Sequence, residues 1–346
     1  MQQSVSTDSR PRSRGSVAAG WPAIGFAALV TAGAVYSFSP RPLPDYPPTQ
    51  LQADQLLING LARDGAGFVA GGAKGRILTA ESARGPWTDA EVGETHGSPV
   101  TRIVAVDDGR MFAVGHNLMI LRSTDGGGSW QNVHVDLDVP EPLLDIAKVP
   151  GGDRLVAVGG FGQYLESGDG GDTWTSRRIE AFNGSHLNDI VIGADGTLLI
   201  AAERGLLLRS RDGGQTWDPL ELDYPGSMFG ALSLGDGRWL AFGMRGNAFL
   251  SEDNGDSWQA VDTGISDSLF GGTQLADGRV VLVGAMHTIL IATPGEWTFR
   301  RVIPSKQGTY STVLEAPDGA VLVGGDPGAQ LIDLATGERR NGGDDA

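Results

Sequence analysis

The stretch "LRSTDGGGSW" at Leu121–Trp130 returns as "LESGDGGDTW" at 165–174, "LRSRDGGQTW" at 208–217 and "FLSEDNGDSW" at 249–258. One reaction needs one site, so four near-copies point to a structural part repeated around a fold. The tryptophans Trp130, Trp174, Trp217 and Trp258 are spaced by 44, 43 and 41 residues. The same period finds Trp87 one step upstream and Trp297 one step downstream, both in degraded copies. A seventh unit, "VLEAPDGAVLVGGDPGAQLIDLATGE", keeps the pattern without a tryptophan. Repeats of about 40 residues built from short strands indicate a propeller.

Within each unit the order is constant. In the fourth, "LNDIVIG", "TLLIA", "LLLRS" and "TWDPLEL" read as strands separated by "ADG", "ERG" and "RDGGQ". Asp-Gly between apolar runs is a strong hairpin signal. The chain is therefore expected to be all-β, a seven-bladed β-propeller of four-stranded antiparallel blades over residues 46–335, preceded by one N-terminal hydrophobic helix.

In the S-x-D-x-G-x-[ST]-W turn, Asp125, Asp169, Asp212 and Asp253 are expected to accept backbone N–H bonds. Gly127, Gly171, Gly214 and Gly255 are expected at positive φ, and Ser123, Ser167, Ser210 and Ser251 join the network. The tryptophans then pack between blades. EF-hand ligand spacing is absent from "DGGD", so no metal is assigned there, and four equivalent aspartates do not make one catalytic site.

These turns are Asp boxes of the BNR type. With "GxxGxxLRSxDGGxTW" they give a chain that resembles the photosystem II stability and assembly factor family. The resemblance implies a seven-bladed propeller without catalysis or cofactor, acting as an assembly factor or scaffold at a membrane complex. The implied partner is a membrane protein or complex subunit, and the chain is expected to be a monomer.

Composition narrows the remaining classes. The 346 residues contain no cysteine, which removes disulfides, thiol nucleophiles and thiolate metal sites. Formal net charge is −16, while residues 1–14 hold three Arg against one Asp. So acidic a body is a poor binder of nucleic acid, which requires phosphate neutralisation. Residues 15–40 carry no charge, enough to span a bilayer. Residues 1–14 read as a basic cytoplasmic end and 15–39 as a signal anchor, or as a signal peptide cut after Ala34 in "AGA". Residues 40–45 read as a Pro-rich linker and 336–346 as a polar tail. The propeller is then placed in the periplasm or an equivalent thylakoid lumen, held at the inner membrane, or free if the signal is cut.

Ring closure requires the last blade to be tied to the first. Residues 46–53 are expected to supply the outer strand of the seventh blade, the C-terminal residues being the alternative.

Candidate site residues lie on the rim opposite the Asp boxes. Counting six back from each Asp-box serine position gives Lys74, Asn117, Phe161, Arg204, Arg245, His287 and Pro327. Lys74, Arg204, Arg245 and His287 make a basic crown able to grip a carboxylate or acidic peptide, unless they are simply solvated turn tips. On the inner strands Arg102, Asp145 and Asp189 align as a structural ion-pair set or a ligand site. Their equivalents in later blades, Gly230, Gly272 and Thr312, are small. The loop aromatics Phe161, Phe229, Phe270 and Tyr310 read as a partner surface or as packing beneath the loops. His96, His116, His186 and His287 share this rim, but they belong to four blades and lack a short ligand pair. The rival enzyme reading is a sialidase-type glycosidase or glycan-binding propeller, with Arg204, Arg245 and Tyr310 in its site. Its N-terminal Arg-Ile-Pro motif is missing, and such enzymes have six blades.

Overall fold

The computed structural model describes residues 21–39 and 53–335, except 66, 183 and 294. They fall into two units divided between Gln50 and Leu51. In the first, α1 (Trp21–Phe38) is an uninterrupted 18-residue helix with no charged residue. At 1.5 Å per residue it is about 27 Å long, and it is long and apolar enough to cross a membrane. Ala32–Ala34 lie inside this helix.

The second unit is a ring of seven sheets. Each blade begins with an inner strand: Ile58–Asp64, Val100–Asp107, Leu143–Lys148, Leu187–Ile192, Met228–Gly235, Leu269–Gln274 and Tyr310–Glu315 in blades one to seven. The second strand of every blade is nearly all buried, as in "LVAVG" at Leu155–Gly159 and "VVLVG" at Val280–Gly284. Strands sandwiched between two neighbouring blades have no solvent face, so they read as continuous apolar runs.

The core is divided into layers, each lying between two blades. One joins Phe112, Val114 and Ile120 of blade two to Leu143, Leu155 and Trp174 of blade three. Another joins Ile58, Phe68 and Leu78 of blade one to Ala320, Leu322 and Leu331 of blade seven, so the ring is closed by apolar packing.

Two features depart from the repeat. Glu91–Val92, in the connection after blade one, pairs in parallel with Ser129–Trp130 and makes the second sheet five-stranded. Blade seven shows three strands among the described residues. The proposed closing segment lies outside those residues except for its end, Ala53. Its carbonyl accepts the Ala329 N–H at 3.0 Å, beside the third strand of blade seven. The 336–346 tail is also outside them.

Candidate functional site

The Asp boxes join third and fourth strands and so occupy one rim. Each serine hydroxyl donates to its aspartate and accepts a glycine N–H. The distances are 2.8 and 2.9 Å for Ser123, 2.7 and 2.9 Å for Ser167, 2.7 and 2.7 Å for Ser210, and 2.9 and 2.8 Å for Ser251. Each aspartate in turn accepts the backbone N–H and the hydroxyl of the Ser or Thr four residues on, as Asp253 does from Ser257 at 2.8 and 2.6 Å. These bonds, the hydroxyl first, pull Asp212 and Asp253 down to about 2. Asp125 and Asp169 are lowered for the same reason.

Gly127, Gly171, Gly214 and Gly255 have φ of 95°, 92°, 84° and 81°. The need for glycine is also steric. A Cβ on Gly171 would sit 2.5 Å from the Phe112 ring, and one on Gly214 would sit 2.8 Å from Tyr164 Oη, each on the preceding blade. Trp130, Trp174 and Trp217 are buried in the layers between blades. The boxes are thus rivets between blades, each complete within its own hairpin.

The opposite rim carries the turns between second and third strands and the mouth of the channel. Lys74, Asn117, Phe161, Arg204, Arg245 and His287 all occupy left-handed backbone, with φ from 51° to 61°. Counting from the serine therefore found one turn position repeated in six blades; Pro327 is the exception, since its ring forbids that conformation. Arg204 donates to Ser185 Oγ at 2.6 Å, and its neighbour Glu203 accepts the His186 N–H at 3.0 Å. Phe161 is 63% exposed and its ring meets His186 edge-on at 4.4 Å. Tyr310 does not reach this surface. It is fully buried, its hydroxyl donates to the Lys306 carbonyl at 2.8 Å, and burial pushes it up to about 12. No group of three or more His, Asp or Glu suited to a metal ion occurs among the described residues.

At the mouth, every inner strand has the same irregularity. The pairing register slips across its second residue, leaving one residue bulged out of the ladder. The seven bulged residues are Asn59, Thr101, Leu144, Asn188, Phe229, Phe270 and Ser311. All seven line one cavity of about 390 Å³, together with Arg102, Asp189 and Phe242. Bulges re-aim side chains, and here they build a ring around the channel. The Phe229 and Phe270 rings lie 5.2 Å apart. The bulge also corrects the alignment of blade six: Gly271, not Gly272, is the equivalent of Arg102, Asp145 and Asp189.

The polar members of the ring bind blade to blade. Asn59 Nδ2 donates to Val100 O at 2.9 Å, Thr101 Oγ1 to Leu143 O at 2.6 Å, Asn188 Nδ2 to Met228 O at 2.8 Å and Ser311 Oγ to Ile58 O at 3.2 Å. Each acceptor is the first residue of the next inner strand. The aligned aspartates act likewise. Asp145 accepts the Ile190 N–H at 3.1 Å and Asp189 accepts the Ala231 N–H at 2.9 Å.

Arg102 joins this system. Its Nε is 3.2 Å from Asp145 Oδ1 and its Nη2 is 3.5 Å from Asp189 Oδ1. Both carboxyls are buried. Burial, and then the Asp145 charge, hold Asp189 well above the usual carboxylate range, and Arg102 only partly opposes them. Arg102 also lines the next cavity down the channel, of about 310 Å³, with Gly271 and Thr312. The structure thus brings together Arg102, Asp145, Asp189, Phe229 and Phe270, with the crown on the same rim. Sequence reasoning missed Asn59, Thr101, Leu144, Asn188 and Ser311. Their only signal is the position, second in each inner strand.

Comparison with known proteins agrees with this architecture. Residues 128–307 match the family model described as Photosynthesis system II assembly factor YCF48. A solved structure of YCF48 bound to D1 peptide is similar at TM-score 0.64 and 17% identity, over 84% of this chain and 98% of that one. YCF48 from Cyanidioschyzon merolae is similar at TM-score 0.65 and 15% identity, over 83% and 96%. The WD40 propeller domain of Doa1 follows at TM-score 0.64 and 12% identity, over 79% and 90%. At these identities the structures share the fold. No curated protein matches the chain by sequence.

Proposed function

Because the chain belongs to the Photosynthesis system II assembly factor YCF48 family, we propose that it is a non-enzymatic scaffold that holds a segment of a membrane protein on the rim opposite its Asp boxes. The carrying observation is that this rim gathers a cavity ringed by seven bulged side chains, with the basic turn residues Lys74, Arg204, Arg245 and His287 on the turns beside it. A protein segment as ligand is supported by the structural relative that holds a D1 peptide. In this reading the crown meets carboxylates of the segment through charge-assisted bonds, and the Phe229 and Phe270 rings meet its apolar parts.

The glycosidase reading has little to stand on. Tyr310, the tyrosine it would require, is buried with its hydroxyl committed and its ionisation suppressed. We place the propeller on the non-cytoplasmic side of a membrane, with α1 as anchor or export signal. Its length and the arginines that precede it support this.

The test is capture of crosslinked partners from membranes carrying the full chain. Wild type is expected to recover a membrane protein subunit, and the double variant Arg204→Glu with Arg245→Glu to recover several-fold less while folding normally. Equal recovery would reject the crown. Turnover of a fluorogenic sialoside would reject the non-enzymatic reading.

A further inference from the structure

The ring at the channel mouth has a charge imbalance that points to the ligand it takes. Asp145 and Asp189 are buried side by side on adjacent blades, and one guanidinium, Arg102, serves both. It sits closer to Asp145, at 3.2 Å, than to Asp189, at 3.5 Å. One positive charge cannot neutralise two carboxylates, and a buried carboxylate short of a counter-charge holds its proton. The suppressed ionisation of Asp189, caused first by burial and then by Asp145, is the mark of that shortage.

Beside the apolar Leu144, Ala231 and Leu232, the other polar and aromatic side chains facing the cavity offer lone pairs or ring faces. Thr101 and Ser311 have given their hydroxyl protons to backbone carbonyls, so lone pairs remain. Asn59 and Asn188 each give one amide N–H to a carbonyl, and beside the second N–H the Oδ1 of each is an acceptor. The Phe229 and Phe270 rings, 5.2 Å apart and both half-buried, offer aromatic faces. Such faces attract cations through the ring quadrupole. Apart from Arg102, no side chain lining this cavity is cationic.

We infer that the channel mouth is a socket for one cationic side chain, lysine or arginine, of the protein partner, its apolar stem against Phe229 and Phe270 and its charged head beside Asp189. The cavity of about 390 Å³ suits a side chain, not a helix. The net charge of −16 favours approach of a cationic segment from a distance. The inference rests on the scaffold reading only in taking the cation to belong to a protein.

The arriving charge completes the set that Arg102 leaves short, so Asp189 gives up its proton on binding. The groups that face Asp189 are Arg102 from blade two and Asp145 from blade three. Affinity therefore rises with pH until Asp189 is ionised without the ligand.

Saturation-transfer NMR on the full chain in detergent micelles tests this with three probes: N-acetyl-arginine amide, N-acetyl-lysine amide and the neutral N-acetyl-norleucine amide. Transfer to the side-chain methylenes of the two cations is expected, more strongly at pH 8 than at pH 5. Phe229→Leu and Asp189→Asn are each expected to weaken it tenfold or more, and Phe270→Leu provides a variant that touches no carboxyl. Equal or better binding of the norleucine probe, no transfer from either cation, or variants that bind as wild type would each overturn the socket. The membrane capture experiment reads separately. Partner recovery without probe binding removes the socket and keeps the scaffold, and probe binding without partner recovery does the reverse.

Discussion

Ser210 shows how much one hydroxyl carries. Itself buried, it accepts the Gly214 N–H and donates to Asp212, both at 2.7 Å. Ser210→Ala leaves that N–H without a partner. Such a loss costs about 1–3 kcal/mol and is expected to appear as a lower denaturation midpoint in urea. The aspartates of these turns add a pH signature. Asp212 and Asp253 are held at about 2 by the hydroxyl and N–H bonds they accept. A depressed carboxyl stabilises the fold above its unfolded value and loses that contribution as pH falls through the folded one. Thermal melts should therefore decline from about pH 4 downward, and Asp212→Asn should shrink the decline. These residues were legible in the sequence because the motif repeats with its chemistry intact. Tyr310 was not, since a loop aromatic and a core aromatic look alike until the chain around them is placed.

At the scale of the strand, the bulge decides what the channel contains. Periodicity identified the inner strands and aligned Arg102 with Asp145 and Asp189. It could not show that each strand carries an extra residue, because a bulge is a property of pairing and not of composition. In blade six the two adjacent glycines look alike in sequence, and only the pairing register shows that Gly271, not Gly272, holds the equivalent place. A Cβ on Gly271 would stand 2.6 Å from the Ser311 carbonyl of the next blade, so that position admits no side chain. The bulged Asn188 latches blade four to blade five through Met228. Asn188→Leu removes one hydrogen bond, at a cost of about 0.5–1.5 kcal/mol, read from equilibrium unfolding. Asp189 has the opposite pH sign to the Asp boxes. Its folded value is raised, so the folded state binds more protons than the unfolded one, and stability falls as pH rises from the ordinary carboxylate value through the folded one. Unfolding at pH 5 and pH 8 is expected to show this fall in wild type and not in Asp189→Asn.

Around the whole ring the latches are uneven. At the mouth, side-chain bonds between inner strands tie blades seven to one, one to two, two to three, three to four and four to five. Among the described residues, blade five reaches blade six only from its turn, where the Arg245 N–H donates to Ser268 Oγ at 3.3 Å. Blades five and six present Phe229 and Phe270 at the same position, and phenylalanine has no proton to give. Hydrogen exchange is expected to be faster in Leu269–Gln274 than in Leu143–Lys148, and equal protection would deny the seam. The blade count was readable from the tryptophan spacing, but the seam was not, because it depends on which neighbour each bulge reaches. A residue outside the ladder has a further consequence. Changing it disturbs no cross-strand pair within its blade, so Leu144, Phe229 and Phe270, which latch no neighbour, are adjustable positions on a wheel whose registers stay fixed. The lining of the mouth can therefore change by these few side chains, while the same rivets and layers continue to hold the wheel together.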